Sequence, residues 1–186
     1  PDTPETGTMG AQLLTSGPTS SWSNDELVYQ RAIASARKRI FIETPYFLPT
    51  EGLLKALQAA ALSNVDVRII MPMRSDSRML NLASFSYIAE CLRSGIKIYL
   101  YEPGMMHAKT FLVDDEVASV GSTNFDFRSF EHNFEVNMFI YSREFNARMA
   151  DVFINDLRHS QRVMTAKWAK RPYTRKACES IVRLLS

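Results

Sequence analysis

Three apolar segments, IFIETPYFLP from Ile40, VDVRIIMP from Val65 and IKIYLY from Ile96, are spaced by stretches with a helical apolar period. Val28, Ala32 and Ala36 mark one helix ahead of them. Leu53, Leu54, Leu57 and Ala61 mark a second after Thr50, and Leu82, Phe85, Ala89 and Leu92 a third that stops at Gly95. A chain that alternates strand and helix in this way must bury its strands between helical layers. The expected fold class is therefore α/β, a three-layer α/β/α sandwich around a mixed, largely parallel sheet. After these come a hairpin, a further strand in NFEVNMFIY, and a helix behind Ser142 with Phe145, Met149, Val152, Phe153 and Leu157 on one stripe.

At 186 residues and 46% hydrophobic content, one well-buried domain is expected. Residues 1–22, rich in Pro, Thr, Ser and Gly, read as a linker or cut edge. Residues 23–186 read as a single domain, opened by a capping box of Ser23 and Glu26. A net charge of +2 is too small to announce a nucleic-acid binder. Cys91 and Cys178 form no CxxC pattern, which suits a reducing cytoplasm. No run reaches the roughly 18–20 apolar residues of a membrane span, and no signal-peptide pattern opens the chain, so it reads as soluble or peripheral. From Arg158 onward eight Lys and Arg stand against one Glu, interspersed with Val163, Met164, Trp168 and Ile181. That tail suits either an anionic membrane surface, with Trp168 at headgroup level, or a helical face packed on the domain.

The most informative stretch is HAKTFLVDDEVASVGSTNF, residues 107–125. On an extended strand His107 and Lys109 share a face, roughly 7 Å apart. The DDE turn then returns a strand carrying Ser122 and Asn124, and Glu135 follows on the next strand. A phosphate diester suits this set: Lys supplies positive charge, Ser and Asn supply neutral donors, and a neutral imidazole held by a carboxylate is a competent nucleophile. Glu135 is the candidate for that holder. A lone strand His is commonly a hydrogen-bonded structural residue; a Lys two positions on in so apolar a strand is costly without a partner or ligand.

The order His107-x-Lys109, Asp114, Gly121-Ser122-x-Asn124 resembles the HxKxxxxD(x)6GSxN signature of the phospholipase D superfamily. ETPYFLP, ALSNVDVRIIMP, GIKIYLYEPGMMHAKT and FDFRSFEHNFEVN extend the resemblance to the C-terminal half of bacterial cardiolipin synthases. It implies a phospholipase D-like fold in which His107 is the active-site histidine, Lys109 and Asn124 contact phosphate, Ser122 assists, and Glu135 partners the histidine. It makes Asp114 mainly an architectural hydrogen-bonder. Tyr46 and Phe47 fall near the mouth of the site, as pocket wall or as core packing.

The resemblance further implies a reaction that needs two such motifs, through a phosphohistidine intermediate, whereas His132 and His159 lack a Lys two positions on. The missing motif would come from another half of a longer enzyme or from a second copy of the chain. The segment GTMGAQLLTSGP looks like an interior one. The implied function is phosphatidyl transfer that makes cardiolipin from two phosphatidylglycerols, at the cytoplasmic face of the cell membrane in the parent protein. A dimeric single-motif phosphodiesterase or nuclease and a non-catalytic binding module remain alternatives. No cofactor is expected, and no His, Asp and Glu cluster has metal-ligand spacing.

Overall fold

The structure, a computed structural model, describes residues 7, 9–19 and 23–185. Strands β2 (Arg39–Glu43), β4 (Asp66–Pro72) and β5 (Lys97–Tyr101) are the expected parallel core, with helices α2 (Glu51–Leu62) and α3 (Arg78–Arg93) as the crossovers. Thr50 caps α2 by accepting from the Leu53 N–H at 3.3 Å, and Gly95 leaves α3 at φ 89°, a conformation that suits glycine. Helix α1 (Asn24–Ser35) precedes β2, and a two-residue strand β3 (Phe47–Leu48) follows it.

The second half is a meander. Strands β6 (Thr110–Val113) and β7 (Val117–Gly121) form the hairpin, and β9 (Glu135–Tyr141) pairs with β7. Between them β8 (Phe125–Asp126) runs parallel to β3, and α4 (Phe127–Glu131) is a short helix capped by Asp126. Helix α5 (Arg143–Arg158) starts at Ser142, whose hydroxyl accepts from the Phe145 N–H as the sequence pattern predicts. The chain then adds β10 (Ser160–Arg162), α6 (Thr165–Ala169) and α7 (Tyr173–Leu185).

The large sheet has the order β1-β9-β7-β6-β2-β4-β5-β10, where β1 is Gly10–Ser16. Two expectations are corrected here. Residues 10–16 are not linker: they are an edge strand, in antiparallel register with the whole of β9 from Gly10↔Tyr141 to Ser16↔Glu135. The sheet is mixed, but among the described residues only β2–β4 and β4–β5 are parallel, and the other five neighbouring pairs are antiparallel. The tight turn after β6 allows only antiparallel return to β7, whereas the helical crossovers α2 and α3 join β2, β4 and β5.

Helices α1, α2 and α3 cover one face over a core that includes Ile40, Ile42, Leu53, Ile69, Phe85 and Phe111. Helix α5 covers the opposite face around Phe41, Ile70, Tyr99, Leu112 and Phe153, with Phe41 and Phe153 stacked at 4.3 Å. It does not reach the β1 side. There Leu13, Met138 and Val120 form one cross-strand row, paired Leu13↔Met138 and Val120↔Met138, and remain exposed beside Val136. In the tail, Trp168 packs edge-on against Phe85 of α3 at 5.8 Å with the Arg171 guanidinium over its ring at 3.5 Å, which is the packed-face alternative.

Asp114 lies at the far end of β6. At φ 51° it turns the hairpin, and its carboxylate accepts from the N–H groups of Arg37, Lys38 and Arg39 at 2.8–2.9 Å, fastening the entry to β2. Hydrogen bonds to a charged acceptor are worth about 1.5–3 kcal/mol each when removed. Replacing Asp114 by Ala is expected to lower unfolding free energy by about 2–4 kcal/mol in urea titration. Asp114→Asn, which keeps the oxygen shared by Lys38 and Arg39, is expected to lose less than half as much.

Candidate active site

Backbone register builds the site. Glu43, the last residue of β2, sits opposite Thr110, the first of β6; Thr110 sits opposite Val120 near the end of β7; Gly121 sits opposite Asn137 near the start of β9. Two strand ends and two strand starts therefore meet at one edge of the sheet. His107 and Lys109 lead into it, Ser122 and Asn124 lead out of it, and Glu135 begins β9 beside them.

Lys109 Nζ lies 3.1 Å from His107 Nδ1 and donates to the His107 carbonyl at 3.1 Å. The same Nζ stands 3.4 Å from Nε2, so the ammonium lies against both ring nitrogens rather than along the lone pair of one. Burial lowers the pKa of Lys109, while the charges of Glu135 and Asp126 oppose that shift. Ser122 donates its hydroxyl to Glu135 and accepts from the Val136 N–H at 2.9 Å. Asn133 donates to the other Glu135 oxygen at 3.2 Å. The Asn124 N–H donates to Ser129 Oγ at 3.2 Å, and its carboxamide oxygen is buried without a hydrogen-bond partner among the described residues. An exposed imidazole beside an ammonium and neutral donors is a set that can hold an anionic tetrahedral group and present a ring nitrogen to it.

Four expected residues make no hydrogen bond to His107 or Lys109 among the described residues. Glu135 holds Ser122 and Asn133, and no hydrogen bond joins it to His107 among the described residues. His107 precedes the first laddered residue of β6, so no backbone pairing draws its ring across to β9. Asp114 is at the opposite end of β6, about 17 Å away along an extended strand. Phe47 is core rather than pocket wall: it is fully buried and stacks on Phe125 at 5.7 Å, where β3 meets β8. Tyr46 is also packed, against Leu48 and Ala83, with its hydroxyl donating to Asp76 at 2.5 Å. No group of His, Cys, Asp and Glu among the described residues is gathered so as to hold a metal ion.

Residues 29–157 match the family described as cardiolipin synthase, PLD-like domain. The chain belongs to this family. The cardiolipin synthase of Geobacillus thermodenitrificans is 42% identical to it over 182 residues, 98% of this chain, but the chain spans only 36% of that relative. Among solved structures, the phospholipase D family member Nuc of Salmonella typhimurium matches with a TM-score of 0.69 and 23% identity, over 84% of this chain and 99% of Nuc. The phosphatidylserine synthase of Haemophilus influenzae matches with a TM-score of 0.75 and 16% identity, over 95% of this chain and 47% of its own. These two show a shared fold, filled once by Nuc and about half by the synthase.

Two residues of this phospholipase D-like domain escaped the sequence reading. Asp25 of α1 is buried under the GSxN loop. Glu43 is only 2% exposed; its Oε2 accepts from the Thr110 hydroxyl at 2.8 Å, and its Oε1 has no partner among the described residues. The available signal was a lone Glu ending the apolar run IFIE. Burial pushes the Glu43 carboxyl up to about 7, the Thr110 hydrogen bond opposes this, and Asp156 of α5 adds to it.

The sign follows from proton counts. Between about pH 4.5 and 7 the folded domain holds a proton on Glu43 that the unfolded chain releases, so stability falls as pH rises through that window. The loss is about 3 kcal/mol once pH exceeds 7. Glu43→Gln keeps an acceptor for Thr110 and removes the titration. Urea unfolding is expected to show the variant more stable than wild type at pH 8 and nearly equal to it at pH 4.

Gly121 of the motif has no room for a side chain, since a Cβ there would meet the Val136 carbonyl oxygen and Asn137. Both belong to the neighbouring strand, so the clash moves backbone. Gly121→Ala is expected to cost about 1–3 kcal/mol by thermal or urea unfolding. It should also spread the β7–β9 edge that presents Ser122.

Proposed function

We propose that the chain is one lobe of a two-lobed phosphatidyltransferase that makes cardiolipin from two molecules of phosphatidylglycerol. The observation that carries this reading is the gathering of His107, Lys109, Ser122 and Asn124 at one sheet edge, together with 42% identity to a cardiolipin synthase. In the proposed reaction a neutral ring nitrogen of His107 attacks phosphorus, the bond to the departing glycerol oxygen breaks, and a phosphohistidine forms. A histidine from the other lobe gives the glycerol its proton. The glycerol hydroxyl of a second phosphatidylglycerol then loses a proton to that histidine and attacks phosphorus, which breaks the P–N bond and releases cardiolipin. Lys109 and Asn124 hold the non-bridging oxygens as negative charge builds, and Ser122 supports the same edge.

The chain carries one such motif, and it spans 36% of the relative. The exposed row Leu13, Met138 and Val120, ending beside the site, is an apolar surface of the kind a second lobe covers. Because the substrate is a bilayer lipid, the parent protein works at the membrane, on the cytoplasmic face that unpaired Cys91 and Cys178 suit. No helix among the described residues is long and apolar enough to cross that membrane. A second reading, in which two copies of the chain complete a diesterase site, is favoured by the match to nearly all of the Nuc chain. Its +2 charge argues against nucleic acid as the substrate.

The test supplies phosphatidylglycerol vesicles to the full protein and follows cardiolipin and free glycerol. Both are expected in equal amounts, and His107→Ala is expected to lower the rate about a thousand-fold or more. Phosphatidic acid without cardiolipin would turn the reading into hydrolysis, and full activity of His107→Ala would remove His107 as nucleophile.

A further inference from the structure

Thr123 occupies the variable position of GSxN, between Ser122 and Asn124, and is buried while Ser122 is exposed. Its hydroxyl donates to Asp25 Oδ2 at 3.1 Å. The same carboxylate oxygen accepts from Ser16 Oγ at 2.8 Å and from Asn137 Nδ2 at 2.9 Å, and Asn137 also donates to Thr123 Oγ1. One oxygen on the first turn of α1 thus gathers the end of β1, the loop after β7 and the third residue of β9.

Asp25 is fully buried, and its Oδ1 has no partner among the described residues. A buried carboxylate is costly, and apolar packing of equal volume would commonly stabilise a core better. Here the helix N-terminus and three donors offset part of that cost. Four residues on, Tyr29 reaches the same sheet face, its hydroxyl 3.1 Å from Ser119 Oγ. The polar side of α1 is therefore aimed at the strands that carry the motif. Burial raises the Asp25 pKa, the bonds from Ser16, Thr123 and Asn137 lower it, and the charge of Glu135 raises it again, which ties the network electrically to the site.

We propose that Asp25 is a positioning residue, which through Thr123 fixes the direction in which Ser122 and Asn124 face the phosphorus. It touches no reacting atom. The proposal rests on the reading of that edge as a phosphodiester site, but not on which lipid is transferred.

The full protein carrying this lobe is assayed on bis(p-nitrophenyl) phosphate, with hydrogen exchange measured on the same preparations. Asp25→Ala and Thr123→Val are each expected to lower kcat about ten- to a hundred-fold with KM within about three-fold of wild type. Thr123→Ser, which keeps the hydroxyl, is expected to restore kcat to within about three-fold. The double variant Asp25→Ala, Thr123→Val should lose clearly less than the product of the two single losses, because the Thr123–Asp25 contact is counted in both. Amide exchange over residues 121–126 should rise in both loss variants and stay unchanged over 110–113. Unchanged kcat in folded variants, losses that multiply in the double variant, or unchanged exchange over 121–126 would each overturn the proposal. Should Asp25→Ala fail to fold, the Thr123→Val and Thr123→Ser pair decides by the same criteria. If wild type turns over no diester, the proposed function fails, and the exchange measurement alone decides the positioning role.

Discussion

The site depends on one alignment: the register that sets Glu43 against Thr110, Thr110 against Val120 and Gly121 against Asn137. Side chains alternate along a strand, so a slip of one residue would turn every group to the opposite face. Two features hold the register from opposite ends. Asp114 binds three successive N–H groups ahead of β2, and its own N–H returns to the Arg39 carbonyl at 2.9 Å. At the other end Gly121 lets the β9 backbone approach closer than any side chain would allow. The HxKxxxxDx6GSxN pattern therefore has a mechanical content: its Asp and Gly set the register, while its His, Lys, Ser and Asn occupy the edge that the register creates.

The two faces of that edge are built differently. Toward α1 the polar groups are buried and bonded to one another, from Ser16 through Asp25 to Thr123 and Asn137. Toward α5 a single row runs Leu13, Met138, Val120, Thr110 and Glu43 across five strands. Its Glu43 end lies beneath α5 beside Asp156, whereas its Leu13 end, 60% exposed, is bare. One face is thus closed by the chain's own helix, and the other keeps an apolar strip next to the reactive groups.

Much of this was readable from sequence where local pattern and tertiary role agree. The core strands β2, β4 and β5, the helices between them and the DDE turn all follow from apolar period and turn residues. The edge strand β1 was not readable, because GAQLLTS is mostly exposed and becomes a strand only by pairing with β9, more than a hundred residues away. For α1, Val28, Ala32 and Ala36 mark the flank, and the buried line is Asp25, Tyr29 and Ile33. An apolar count passes over an Asp on that line, and Ser23, the expected cap, makes no capping bond. Tyr46 and Phe47 look like a pocket because they sit between prolines at a strand end, but the β3–β8 pairing folds that segment inward. Which carboxylate meets which donor around Glu135 is a matter of ångströms, and residue spacing does not carry it.

The contact between Lys109 and His107 has its own consequence for the proposed chemistry. The ammonium lies against both nitrogens of the imidazole, at 3.1 and 3.4 Å, and the charges of Glu135 and Asp126 help hold it there half-buried. A diester anion entering the edge offers Lys109 a stronger acceptor than a neutral ring nitrogen, since charge-assisted hydrogen bonds to an anion are roughly twice as strong as neutral ones. In the proposed reaction the ammonium would turn from the ring to a phosphate oxygen and so uncover the imidazole beside the phosphorus. Phosphate binding and exposure of the proposed nucleophile would then be one movement of one side chain.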